Sequence, residues 1–159
     1  DLQAWLDKHP DKFRLPPKLA LRQVYVSVSR RGEGAAREAL RLLAQLNGTG
    51  KKLDASELGD PTMLPYELPL SSGEEIARVF GDGFAREVAR MEPGRWSGPV
   101  KSGYGLHLVS VSERAEGRPR PLAEVRDAVQ REWLAARRQE AADASYRALR
   151  AKYSIVVER

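Results

Sequence analysis

The stretch Met91-Glu92-Pro93-Gly94-Arg95-Trp96-Ser97-Gly98-Pro99-Val100-Lys101-Ser102-Gly103-Tyr104-Gly105-Leu106-His107-Leu108-Val109 orders the elements on which the fold rests. Pro93-Gly94 ends any preceding helix, because proline has no amide to donate and glycine accepts the turn beyond a helix end. Trp96 to Val100 reads as a short strand. Lys101 to Gly105, with Gly103 and Gly105 flanking Tyr104, reads as the turn of a hairpin. From Leu106 to Glu113 the pattern alternates, with Leu106, Leu108 and Ser110 facing one way and His107, Val109 and Val111 the other. Two helices, Glu74 to Phe80 and Asp82 to Met91, are predicted to lead into the hairpin, with Phe80 and Phe84 at helical spacing.

Upstream, Leu19 to Ser29 also alternates. Leu19, Leu21, Gln23, Tyr25 and Ser27 share one face, while Ala20, Arg22, Val24, Val26 and Val28 share the other, which predicts a strand with at least one buried face. Arg30 to Gly34 reads as a turn. Ala35 to Leu46 reads as an amphipathic helix carrying Ala36, Ala39, Leu40, Leu43 and Leu46 on its apolar side and capped by Asn47-Gly48. Prolines at 61, 65 and 69 make Gly48 to Ser72 loop-rich, with a short strand around Glu67 to Leu70. At the start, Leu2, Trp5 and Leu6 predict a short helix over residues 1–9 that stops at Pro10, followed by an extended Phe13 to Pro17. Beyond the hairpin, residues 116–121 read as a linker and Leu122 to Lys152 as one long helix. Its stripe is Leu122, Val125, Val129, Trp133 and Ala136, and Tyr153 to Glu158 reads as a final strand. Strands and helices do not alternate regularly, so the order argues for α+β over a doubly wound sheet. The long helix needs a partner for its stripe: the N-terminal helix, the rest of a larger chain, or a second copy.

A length of 159 residues suits one ordinary domain plus an appendage. Hydrophobic residues at 42% and charged residues at 31% support a packed core and exclude global disorder. No cysteine is present, which excludes disulfides, thiolate metal ligands and a cysteine nucleophile from these residues. His9 and His107 are too few for a histidine-rich metal cluster, though not for one mixed with carboxylates. No apolar run approaches the roughly eighteen residues of a membrane span, so no membrane insertion is expected of this segment. The chain opens on Asp1 without a signal-like stretch, and the expectation is that processing or truncation removed what preceded it.

Several motifs fail on inspection. Gly50-Lys51 has Gln45 where a phosphate loop needs glycine and Lys52 where it needs serine or threonine. Gly81-Asp82-Gly83 and Gly103-Tyr104-Gly105 lack the third glycine and the strand-to-helix setting of dinucleotide binding. Asn47-Gly48-Thr49 has the glycosylation pattern but reads better as a helix end and turn. The net charge of +5 comes from interspersed signs, and Tyr25, Tyr104 and Trp133 lie far apart, so no nucleic-acid face is expected.

The segment from Phe80 to Val111 resembles the parvulin family of peptidyl-prolyl cis-trans isomerases, of the bacterial PpiC-like kind. In that family a phenylalanine-bearing helix leads into a Gly-Glu-x-Ser-x-Pro-Val turn and a Gly-x-His-apolar-apolar strand. Here Phe84, Gly94-Arg95-Trp96-Ser97-Gly98-Pro99-Val100 and Gly105-Leu106-His107-Leu108-Val109 follow in the same order without gaps. The His-Pro, Phe and Arg22-Gln23-Val24-Tyr25-Val26 elements upstream look like the entry to the first parvulin strand. The resemblance covers about residues 17–115. It implies an α+β, parvulin-like fold: a four-stranded antiparallel sheet flanked by helices, with an added N-terminal helix and a long C-terminal helix. The expected organisation is residues 1–16 as helix and lead-in, 17–115 as the domain, 116–121 as linker and 122–159 as long helix and terminal strand.

The resemblance also implies a site. His107 matches the family's second histidine, Phe84 the aromatic of the proline pocket, and Phe80 the position usually held by methionine. Ser102 matches a hydroxyl-bearing position near the histidine pair, Asp60 a central-loop position, and Leu68 the apolar residue of a glycine-rich element. Gln23 stands where the first strand usually carries the other histidine, and the glycine-rich element is degraded to Glu67-Leu68-Pro69. The implied catalytic set is His107, Gln23, Asp60 and Ser102, and the implied substrate pocket is Phe80, Phe84 and Leu68. Such a site rotates an amide without breaking a bond, so it needs no nucleophile, metal or cofactor. The expected partners are unfolded or extended proline-containing polypeptides, and the expected location is outside the cytoplasm. A different class of function stays open: a non-catalytic chaperone or peptide-binding module that retains the fold. Gln23 favours this second class, and Phe84, Ser102 and His107 favour the first.

Overall fold

The computed structural model describes residues 2–48 and 53–153. The expected terminal strand beyond Tyr153, Thr49 of the sequon, and Gly50-Lys51 lie outside the described residues. Contacts divide the chain into two compact units, Pro16–Gly117 and the two chain ends, up to Leu15 and from Arg118 onwards.

The larger unit is built on a four-stranded antiparallel sheet of β1 (Lys18–Val26), β2 (Glu67–Ser72), β3 (Trp96–Lys101) and β4 (Leu106–Ala115), in the order β2-β1-β4-β3. Both faces of β1 are used. Leu19 and Leu21 join Val100, Val109 and Val111 against Ile76, Phe80, Phe84 and Val88. Val24 and Val26 join Leu108 on the opposite layer, against Ala35, Ala39 and Leu42. The alternation of β4 is therefore real, and it sends His107 into the first layer beside the two phenylalanines. The register of β1 against β4 shifts by one residue between Ala20 and Leu21, where Ser112 of β4 is passed over, and beyond that bulge Tyr25 lies opposite His107 and Gln23 opposite Val109.

The first layer is covered by α5 (Gly73–Phe80) and α6 (Asp82–Val88), counted after α1 to α4 below. Ser72 caps α5 reciprocally with Glu75: Ser72 Oγ accepts from the Glu75 amide, and the Ser72 amide donates to Glu75 Oε2 at 2.7 Å. Gly81, at φ +95°, breaks the helix between the two phenylalanines. Their rings still stack, with centroids 4.4 Å apart.

The opposite layer is covered by α4 (Ala35–Asn47), whose buried side is Ala35, Ala39 and Leu42. This corrects the expected stripe, because Ala36 and Leu40 face solvent. The helix is rotated so that small alanines meet the sheet closely and Leu43 and Leu46 flank them. Gly48 is extended rather than left-handed, so it makes no glycine cap. Instead the Asn47 side-chain amide pairs with edge strand β3, donating to the Trp96 carbonyl at 2.9 Å and accepting its amide at 3.1 Å. The turn expected at Arg30 to Gly34 starts earlier: β1 ends at Val26, and α3 (Val28–Arg31) follows, N-capped by Ser27.

The smaller unit packs α1 (Leu2–Lys8) and α2 (Pro10–Phe13) on α7 (Leu122–Lys152), around Leu6, Phe13, Val125 and Val129. Of the partners considered for the long helix, the N-terminal helix covers its first half. Phe13 closes a helical turn instead of opening an extended run, because Pro10 is well placed at the start of a helix. Leu15 pairs with Arg118 through its amide at 2.8 Å.

Candidate functional site

His107 is the centre of a buried polar chain. Its Nδ1 lies 2.9 Å from Gln23 Oε1, its Nε2 lies 2.6 Å from Ser102 Oγ, and Gln23 Nε2 donates to the Pro65 carbonyl at 2.9 Å. The partners fix every proton. Because the Gln23 NH2 group faces a carbonyl, its oxygen faces His107, and Nδ1 carries the imidazole hydrogen. Nε2 is then an acceptor and takes the Ser102 hydroxyl hydrogen. Ser102 Oγ accepts in turn from the Tyr104 amide at 3.0 Å. All members point one way: Tyr104 to Ser102 to His107 to Gln23 to Pro65. Gln23 thus does what a neutral histidine acceptor would do at this place, without a group that can itself take up a proton.

Aromatic rings close around the imidazole. Phe80 and Phe84 meet it edge-on, with centroids at 5.4 and 5.3 Å and planes at 81°. Tyr25 lies at 5.4 Å on another side, and its hydroxyl donates to the Tyr104 carbonyl at 2.8 Å. Burial pushes the His107 pKa down to about 4, so the ring is neutral at pH 7. With relative exposures of 0% for His107, 1% for Phe84 and 2% for both Phe80 and Gln23, these four side chains are part of the buried core. Ser102 is half-buried and Tyr104 is exposed at the β3–β4 turn, and Pro65 at the other end of the chain is exposed as well, so the buried part is His107 with Gln23. Gly98, at φ +128°, lies in the bulge of β3, where a Cβ would sit 2.7 Å from the His107 carbonyl oxygen. The close approach of β3 to His107 therefore requires glycine at this position.

The fold brings together His107, Gln23, Ser102, Phe80 and Phe84, and it places Leu68 in the same buried apolar layer. Asp60 does not join them. Its carboxylate accepts from Arg31 Nε at 2.8 Å, Arg31 Nη2 at 2.9 Å and the Ser27 amide at 2.7 Å, and its own amide donates to the Tyr25 carbonyl at 2.8 Å. The Arg31 hydrogen bonds hold its pKa below the usual carboxylate range. Asp60 thus ties the central loop to the end of β1. Gly59, at φ +82°, permits this by leaving no Cβ against the Tyr25 carbonyl. Tyr25 and Pro65 were not anticipated as parts of the cluster. Tyr25 shares the predicted face of Gln23, so its alternation was a usable signal. No local signal marks the Pro65 carbonyl, which arrives by the return of a long loop.

The PPIC-type PPIase domain model matches residues 1–127. This chain belongs to that family of peptidyl-prolyl isomerase domains. Among solved structures, one from work describing PEB4 and the periplasmic protein Cj1289 of Campylobacter jejuni as SurA-like chaperones superposes with a TM-score of 0.61 at 18% identity, over 99% of this chain and 62% of that one. A PpiC-type peptidyl-prolyl cis-trans isomerase domain matches at a TM-score of 0.47 and 15% identity, over 64% of this chain and 94% of its own. PrsA from Bacillus subtilis matches at 0.40 and 16%, over 98% of this chain and 57% of its own. The chain thus spans less than two thirds of the Campylobacter structure's length. No curated protein matches the sequence.

Proposed function

We propose that this chain is a polypeptide-binding, chaperone-type member of the PPIC-type family, acting outside the cytoplasm, in which the His107 cluster braces the fold instead of turning over prolyl bonds. The observation that carries this reading is the burial of Phe80, Phe84 and His107 at 0 to 2% exposure. Prolyl isomerisation faces a barrier of about 18–20 kcal/mol from amide resonance. Lowering it requires the proline ring to be seated and the twisting amide to meet polar groups directly. Here the rings that would seat the proline are stacked on one another, and the imidazole spends both nitrogens on Ser102 and Gln23. The likeness to SurA-like chaperones supports the polypeptide-binding part of the reading, and the periplasmic member among them supports the location.

A second reading is favoured by the convergence of Gln23, Ser102, Phe80 and Phe84 on one histidine. On it, the domain opens to become an isomerase. His107, Gln23 and Ser102 then orient the amide, Phe80, Phe84 and Leu68 hold the ring, and Asp60 acts from the neighbouring loop. Two measurements on the full chain separate the readings. Suppression of aggregation of a chemically denatured protein, with no acceleration in a protease-coupled proline-tetrapeptide assay, supports the first. Acceleration above buffer that disappears in His107→Ala supports the second and overturns the first.

A further inference from the structure

Away from the His107 cluster, the unit made by the chain ends carries a basic trough. A cavity of about 420 Å³ is walled by Lys12, Arg14, Arg120 and Arg131 over Phe13 and Val125. One carboxylate, Glu132, also lines it and is occupied by Lys12 Nζ at 3.0 Å, so four cations face a single anion. Arg14 and Arg120 lean on Asp11 at 3.8 Å and Glu124 at 3.4 Å, neither of which lines the trough. Exposed pairs of this kind are weak and readily exchanged for another anion. Arg131 has no ion-pair partner among the described residues. Arg120 is shared with a second cavity of about 410 Å³, lined by Leu6, Pro10, Pro119, Pro121 and Leu122, with Asp7 at its edge accepting from the Gln3 side chain at 2.8 Å. Cationic trough and apolar notch therefore meet at one guanidinium.

We infer that this surface takes an acidic segment of an extended polypeptide, with its carboxylates over Arg120 and Arg131 and an adjacent apolar or prolyl side chain in the notch. Charge complementarity selects an anionic occupant. The concave shape, with a carboxylate inside it, suits a single chain better than a flat anionic membrane. Arg is suited to the task, because its planar fork receives a carboxylate through two parallel hydrogen bonds. The contacts are exposed, so binding is weak, fast and sensitive to salt.

The inference rests on the polypeptide-binding reading above and is tested separately from it. The full chain is titrated against a fluorescein-labelled peptide of repeated Glu-Leu-Pro, with the matched Lys-Leu-Pro peptide as control, and read by anisotropy. Binding of the acidic peptide alone is expected. It should weaken roughly tenfold in the double variant Arg120→Glu/Arg131→Glu, and by a similar factor when salt rises from about 0.05 to about 0.3 M. Arg131→Lys should retain most of the binding, and circular dichroism checks that each variant is folded. Equal binding of both peptides, no binding, or binding to phosphatidylglycerol vesicles in place of the acidic peptide overturns the inference. If the chain suppresses aggregation but the double variant does so equally well and without salt dependence, the trough is refuted while the chaperone reading stands. If no aggregation is suppressed, that reading falls and the peptide titration still decides the trough.

Discussion

Acid should destabilise this protein through His107 well before its carboxylates titrate. In the unfolded chain the imidazole takes a proton near 6.5, whereas in the folded chain burial holds it neutral down to about 4. The unfolded state therefore binds more protons throughout this window, and stability falls as pH falls. The contribution is complete above pH 6.5, shrinks between 6.5 and about 4, and is gone below. At about 1.4 kcal/mol per pH unit, the gap amounts to roughly 3 kcal/mol, with about 2 kcal/mol of it lost between pH 7 and pH 5. Asp60, Glu38 and Glu75 have lowered values, so their share is lost only at lower pH, as it falls through the ordinary carboxylate range and beyond. Urea unfolding at pH 7, 6 and 5 measures the slope, and His107→Gln, which cannot titrate, should flatten it. Proton NMR of the His107 ring gives a check that does not depend on the variant folding. An unfolding midpoint that does not move between pH 7 and 5, or a His107 ring titrating near 6.5, would refute the reasoning.

Two substitutions probe the same cluster from its ends. Gln23→Leu removes the donor to the carbonyl of the exposed Pro65 and the acceptor of the His107 Nδ1 hydrogen, leaving that buried N–H unpaired; the expected cost is about 1–3 kcal/mol in urea unfolding, and a loss under about 0.5 kcal/mol contradicts the assigned proton order. Gly98→Ala puts a Cβ 2.7 Å from the His107 carbonyl at a φ of +128°, so it should cost more than the roughly 1 kcal/mol of an ordinary glycine replacement and should broaden or shift the His107 ring signals; unchanged signals and stability contradict the claimed close approach.

The hairpin and the faces of its strands were legible because their signals are local. Alternation put His107 on one face with Val109 and Val111, and Gln23 on one face with Leu21 and Tyr25; the resemblance, and not the alternation, implied that His107, Gln23, Phe80 and Phe84 meet, and the structure brings them together. The helix from Leu122 to Lys152 was readable for the same reason, since nothing in it interrupts a helix. Position within the tertiary structure was not readable. The rotation of α4 that buries Ala35 and Leu42 depends on how closely small side chains approach the sheet, and both candidate stripes have helical spacing. Asp60 illustrates a further limit. A family-like position in a loop told nothing of Arg31, which sits 29 residues away and takes both carboxylate oxygens. Burial of the site was likewise invisible, because Phe80 and Phe84 at helical spacing suit a substrate pocket and a core equally well. In the structure the two rings stack on each other and meet His107 edge-on, an arrangement set by tertiary packing.

The central claim is that the His107 cluster is a brace and not an active site. Exchange NMR on an Ala-Pro tetrapeptide, recorded at equilibrium with a small fraction of the full chain added, reads prolyl turnover without any coupling enzyme. The account predicts cis and trans signals that exchange no faster than in buffer, while His107 ring signals stay where they were. Exchange accelerated by the wild-type chain, abolished in His107→Ala and accompanied by shifts at Phe84, would contradict it.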